Sequence, residues 1–114
     1  MHVTIYHNPQ CSNSRKALEI IRAHGIEPQI VEYLKTPLRP NELRHLIKEQ
    51  MKIKVLDVIR TKEPVYEEMG LEGRDDDSLL AAIAAHPILL NRPIVVSAKG
   101  AKLCRPGELV EGLL

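Results

Sequence analysis

The sequence contains no Phe and no Trp, and only three Tyr among its 114 residues. A core without large aromatics has to be packed from Leu, Ile, Val and Ala. No sign of charge dominates: 16 Lys and Arg against 15 Asp and Glu leave a formal net charge of +1. That balance removes any global electrostatic argument for a nucleic-acid or membrane partner. No apolar run approaches the roughly 20 residues a transmembrane helix needs. Met1-His2 leads straight into strand-forming residues, without the charged and apolar regions of a signal peptide. A cytoplasmic location is expected. Cysteine is scarce, with Cys11 and Cys104 far apart in the chain. A lasting bridge between them is not expected in a reducing compartment, and two cysteines without paired spacing are poor zinc ligands. No metal and no tightly bound cofactor are expected. There are no repeats, low-complexity segments or interdomain linkers, so a single domain over residues 1–114 is expected.

What is present is organised around Thr4–Arg15. Ile5 and Tyr6 favour a strand. Asn8-Pro9 signals a turn. From Ser12 the apolar residues Ala17, Leu18 and Ile21 follow a helical spacing, and Gly25 can supply the left-handed position that ends the helix near His24. Cys11 then lies at the helix N-terminus. The first amides of a helix have no intrahelical acceptor, and the helix dipole adds positive potential there. A thiolate is favoured in that position, so Cys11 should have a lowered pKa, and the same groups can cradle an oxyanion. A buried structural cysteine is the alternative reading.

Gln29–Tyr33 predicts a second strand, which makes the first third a βαβ unit with parallel strands. After Thr36-Pro37, Pro40 suits the first position of a helix with Leu43, Leu46, Ile47 and Met51 on one face. Val55, Leu56 and Ile59 suggest a short helix. Glu63-Pro64 can begin another, closed by Gly70. Asp75-Asp76-Asp77 reads as an acidic helix start before Leu79, Leu80 and Ile83, with capping and solvation rather than metal binding as its role. Arg92–Ser97 predicts a strand entered through Pro93. Lys99-Gly100 turns it into Ala101–Cys104, and Arg105-Pro106 opens a last helix with Leu109, Val110 and Leu113 facing inward. The expected class is α/β: a small mixed four-stranded sheet with flanking helices, and a helical insertion between a βαβ and a ββα half.

Three arginines, Arg60, Arg92 and Arg105, stand at element ends. Each alone reads as a solvated surface residue. Their planar forks would bind a tetrahedral oxyanion if they converged. Arg15 and Lys16 in the first helical turn could add to the field.

Together these residues resemble the glutaredoxin-coupled arsenate reductase family of the thioredoxin-like fold. The resemblance rests on Ile5-Tyr6-His7-Asn8-Pro9 followed by Cys11 and Ser14-Arg15, and on Glu63-Pro64 with Tyr66. It continues through His86-Pro87-Ile88-Leu89 with Asn91–Val96 and ends at Leu103-Cys104-Arg105-Pro106. It implies that Cys11 is the nucleophile, and that Arg60, Arg92 and Arg105 hold the oxyanion, with Arg60 on the loosest local motif. It implies that His7 helps to tune the thiol. Ser14, three residues after Cys11, could donate a hydrogen bond to the thiolate, or be an ordinary first-turn residue. The fold also implies a cis Arg92-Pro93 bond. The implied partners are arsenate or a similar oxyanion, glutathione as co-substrate and glutaredoxin, with no nucleic acid and no membrane. Two alternatives share the fold: a glutathione- or glutaredoxin-linked thiol oxidoreductase without arsenate specificity, and a redox regulator that binds RNA polymerase. The regulator type uses a Cys-x-x-Cys switch, which Cys11 to Ser14 lacks.

Overall fold

The structure is a computed structural model that describes all residues, 1–114. The chain divides into two compact units. One comprises Met1–Thr36 with Arg92–Leu114, and the other Pro37–Asn91.

The first unit holds a four-stranded sheet in the order β2-β1-β3-β4. Strand β1 (Thr4–Tyr6) leads through a loop into helix α1 (Ser12–Ala23), which returns to β2 (Gln29–Val31). β1 and β2 are parallel, with Ile5 opposite Ile30. Strand β3 (Ile94–Ser97) pairs antiparallel to β1, with Val95 opposite Ile5, and β4 (Gly100–Leu103) pairs antiparallel to β3. This is the mixed thioredoxin-like sheet expected from the sequence. Ile5 and Val95 from the sheet, Ala17 and Ile21 from α1, and Cys104, Val110 and Leu113 from the C-terminal segment form one aliphatic core with Val3.

α1 ends as its sequence dictates. Gly25 adopts φ +76°, and the amides of Gly25 and Ile26 donate to the carbonyls of Arg22 (2.9 Å) and Ile21 (3.3 Å). These are the two bonds of a Schellman motif, which satisfy carbonyls that the helix would otherwise leave open. β2 is shorter than the expected Gln29–Tyr33. The amides of Lys35 and Thr36 both donate to the Glu32 carbonyl, so the chain turns after Val31 while Tyr33 stays buried.

The last helix, Gly107–Leu113, is of the 3₁₀ type. With three residues per turn, Gly107, Val110 and Leu113 fall on one face, and all three are buried. Leu109, expected to face inward, is off that face and 41% exposed.

The second unit is helical. Helix α2 (Pro40–Arg44) has Pro40 in its first turn and widens into a π-helical stretch, His45–Gln50. Leu43, Leu46, Ile47 and Met51 are all buried, as their spacing predicts. A 3₁₀ turn at Val55–Asp57 precedes helix α3 (Pro64–Glu68) and helix α4 (Asp76–Ala85). Asp75 caps α4 by accepting from the Ser78 amide at 2.9 Å, so the acidic run is a helix start. No helix is long and apolar enough to cross a membrane.

Candidate active site

The site begins in the loop between β1 and α1. The Asn8 side-chain oxygen accepts from the Gln10 amide at 2.9 Å, and the Asn8 carbonyl accepts from the Cys11 amide at 3.0 Å. Arg15 reaches back to donate to the Pro9 carbonyl at 2.8 Å. These bonds fold the loop tightly and deliver Cys11 as the N-cap of α1, in extended backbone geometry (φ −97°, ψ 123°). Its carbonyl accepts the first helical bond, from the Arg15 amide.

The sulfur is therefore beside amides that have no other intrahelical partner. Burial pushes the Cys11 thiol up. The Ser14 amide, a hydrogen bond from the Arg92 side chain, the Arg92 charge and the Asn13 amide oppose it, and together they bring the pKa below the ordinary thiol value. Arg105 adds a further contact: its Nη1 donates to Cys11 Sγ at 3.5 Å and to the Arg92 carbonyl at 2.9 Å. Arg92 stands just before β3 and Arg105 just after β4, so the hairpin brings both arginines to the helix end that carries Cys11. The Arg92-Pro93 and Arg105-Pro106 bonds are both cis.

His7 and Ser14 form a buried pair behind the loop. Ser14 is fully buried and His7 is 7% exposed. Ser14 Oγ accepts from the Asn8 amide at 3.0 Å and lies 2.6 Å from His7 Nδ1. With His7 neutral and protonated at Nε2, Nδ1 accepts the Ser14 proton; in the other tautomer Nδ1–H donates to the second lone pair of Oγ. Desolvation lowers the His7 pKa, opposed by Glu32 and aided by Arg22 and Arg15, which favours the neutral ring. Ser14 thus meets the thiolate through its amide and not through its hydroxyl, which the His7 and Asn8 contacts occupy.

Arg60 belongs to the second unit, where it is 29% exposed and ion-paired with Glu63 at 3.0 Å. Its amide donates to the Leu89 carbonyl. Cys104 is fully buried in the core, with its pKa pushed up to about 11 by burial, slightly relieved by Lys102.

Two residues that sequence reasoning passed over complete the geometry. Asn13 accepts from the Gly107 amide through Oδ1 at 3.2 Å. A Cβ on Gly107 would lie 2.6 Å from the Asn13 carbonyl oxygen and 3.0 Å from both the Ala17 nitrogen and Lys16 Cβ. The sequence signal was a glycine at the start of a helix, right after Arg105-Pro106, where nothing local calls for it. Glycine in that setting marks close approach of two backbones.

The chain is similar to known proteins over almost its whole length. A family model described as the ArsC family matches residues 6–113. An arsenate reductase of Escherichia coli is 49% identical over 115 residues, spanning 99% of this chain and 81% of that protein. One of Rhizobium meliloti (strain 1021) is 48% identical over 116 residues, spanning 100% of this chain and 82% of that protein. Among solved structures, an arsenate reductase from Vibrio cholerae superposes with a TM-score of 0.93 at 42% identity, covering 100% of this chain and 98% of that one. A family-model match over residues 6–113, with relatives about half identical over nearly the whole chain, places the chain in the ArsC family.

Proposed function

We propose that the protein reduces arsenate to arsenite, with Cys11 as nucleophile and glutathione and glutaredoxin as the source of electrons. The observation that carries this reading is the Cys11 sulfur, placed between helix amides and the guanidinium groups of Arg92 and Arg105. The relatives named arsenate reductase supply the substrate.

In this mechanism arsenate docks against the guanidinium groups of Arg92 and Arg105. The Cys11 thiolate attacks arsenic and forms a sulfur–arsenic bond, while one oxygen takes up protons and leaves as water. A glutathione thiolate displaces a second oxygen in the same way, giving a Cys11–S–As–S–glutathione adduct that is still As(V). A glutaredoxin thiolate then attacks the glutathione sulfur. The sulfur–arsenic electron pair stays on arsenic, which becomes As(III), and glutaredoxin leaves as its mixed disulfide with glutathione. Hydroxide replaces Cys11 on arsenic, releasing arsenite and the thiolate. The two electrons come from the glutathione–glutaredoxin sulfur pair, so no second active-site cysteine is needed. The protein supplies an activated nucleophile and positive charge aimed at the oxyanion. His7 and Ser14 tune the thiol by holding the loop and its amides in place. The dependence on these thiols suits the cytoplasm.

The test is arsenate reduction by the purified protein with glutathione and glutaredoxin. Turnover that needs arsenate and both thiol components is the expected result. Thiol–disulfide exchange without arsenite formation would instead indicate a general thiol oxidoreductase. RNA polymerase binding with neither activity would indicate a regulator.

A further inference from the structure

We propose that Asn13 is a positioning residue, whose carboxamide fixes the Gly107 amide and thereby sets the Arg105 guanidinium against the Cys11 sulfur. The inference rests on the reading of Cys11 as nucleophile and adds a residue to its machinery.

The geometry runs through three links. Asn13 lies in the first turn of α1, two residues after Cys11, and its own amide faces the sulfur. Its Oδ1 accepts from the Gly107 amide at 3.2 Å. That amide opens the last helix, so it has no acceptor of its own within the helix. Gly107 stands two residues after Arg105, whose Nη1 is 3.5 Å from Cys11 Sγ. Arg105 is otherwise a long, solvent-exposed side chain, with one further bond to the Arg92 carbonyl. A side chain of that kind holds one place only if its backbone is held. The close approach at Gly107, where no Cβ fits, brings that backbone against α1, and the Asn13 bond fixes its register there. The carboxamide suits the task because it accepts a hydrogen bond without placing a negative charge beside a thiolate.

The experiment is the pH dependence of Cys11 alkylation by iodoacetamide in Asn13→Ala, Arg105→Ala and the double variant. The charged groups facing the sulfur are Arg92 and Arg105; the Ser14 and Asn13 amides also face it, and the double variant separates an effect through Arg105 from one through those amides. Arg105→Ala should raise the midpoint by about 0.7 pH unit, from the attraction of unit charges roughly 4 Å apart at aqueous dielectric. Asn13→Ala should raise it by about half that or more, and the double variant should match Arg105→Ala alone, because both changes remove one contact. A purely structural Asn13 would lower the melting temperature and leave the midpoint in place. An unchanged midpoint in folded Asn13→Ala, or shifts that add in the double variant, would overturn the proposal. Should Asn13→Ala not fold, Asn13→Ser carries the same comparison. The alkylation needs no arsenate, so absence of arsenate turnover in the parent protein would refute the proposed function without touching this result.

Discussion

Replacing Gly107 by Ala tests how tightly the last helix must sit on α1. The new Cβ would be 2.6 Å from the Asn13 carbonyl oxygen, with the Ala17 nitrogen and Lys16 Cβ each at 3.0 Å. Two of those three atoms are helix backbone, which cannot swing aside as a side-chain end would. The backbone at Gly107 is not in the left-handed region, so alanine meets no conformational strain there. It even gains about 0.4–1 kcal/mol by restricting the unfolded chain. Against that stands overpacking, at about 1–3 kcal/mol. Immovable neighbours favour the upper end, so the net loss should be about 1–2 kcal/mol. At about 4 °C per kcal/mol for a chain of this size, thermal unfolding followed by circular dichroism should show a melting temperature lower by about 4–8 °C. The alkylation midpoint of Cys11 should rise as well, because the segment carrying Arg105 has to lift away from α1. A variant with the parent's melting temperature and midpoint would show that the helix can drift freely, and the contact would not be what sets the site.

Other expected outcomes concern the cysteines, the histidine and the anion. Near pH 8, iodoacetamide should modify Cys11 alone, as mass spectrometry of the folded protein can check, because Cys104 is buried and titrates only near pH 11. Cys11→Ser should remove arsenate reduction with little change in melting temperature. Cys104→Ser should keep the activity but lose about 1–3 kcal/mol on denaturant titration, from burying a hydroxyl in an aliphatic core. His7 has a folded-state pKa below its ordinary 6.5, so its contribution to stability is fully present above that value and is lost as pH falls through the lowered one. Unfolding free energies measured from pH 7.5 to about 5 should therefore fall, and His7→Gln should flatten the fall. Sulfate added at constant ionic strength should slow Cys11 alkylation, since an anion beside Arg92 and Arg105 disfavours the thiolate, and Arg92→Ala should weaken the effect.

Local structure was legible wherever one residue settles it. Gly25 ends α1, Asp75 caps α4, Pro40 opens α2, and the strand-forming residues Ile5-Tyr6 and Ile94–Val96 mark the sheet. Cys11 at a helix N-terminus was legible for the same reason. The illegible parts depend on distant partners or on a choice between similar helices. Arg105 and Cys11 are 94 residues apart in the chain, and only the β3–β4 hairpin brings them together. The π-helical stretch after α2 and the 3₁₀ form of the last helix preserve the buried positions Leu46, Ile47, Val110 and Leu113, so hydrophobic spacing cannot tell them from an α-helix. The hydroxyl of Ser14 was misdirected because its true partners, His7 and the Asn8 amide, come from the loop before the helix.

The two cysteines show that burial alone does not make this site. Both are buried, Cys11 at 6% exposure and Cys104 at 0%. In each, desolvation is the largest influence on the thiol and pushes its pKa up. Around Cys104 the only polar contact of the sulfur is the Lys102 carbonyl at 3.6 Å, an acceptor that favours the protonated thiol, and the pKa stays high. Around Cys11 the sulfur meets donors only: the amides of Ser14 and Asn13 and the guanidinium groups of Arg92 and Arg105. The balance reverses because every one of those groups binds the thiolate and none binds the thiol as well. The helix N-terminus provides the amides from local sequence, whereas the arginines depend on the hairpin and on the seating of the last helix. A change that unseats that helix should therefore leave Cys11 capped but underpowered, with a pKa moved towards the ordinary thiol value without reaching that of Cys104.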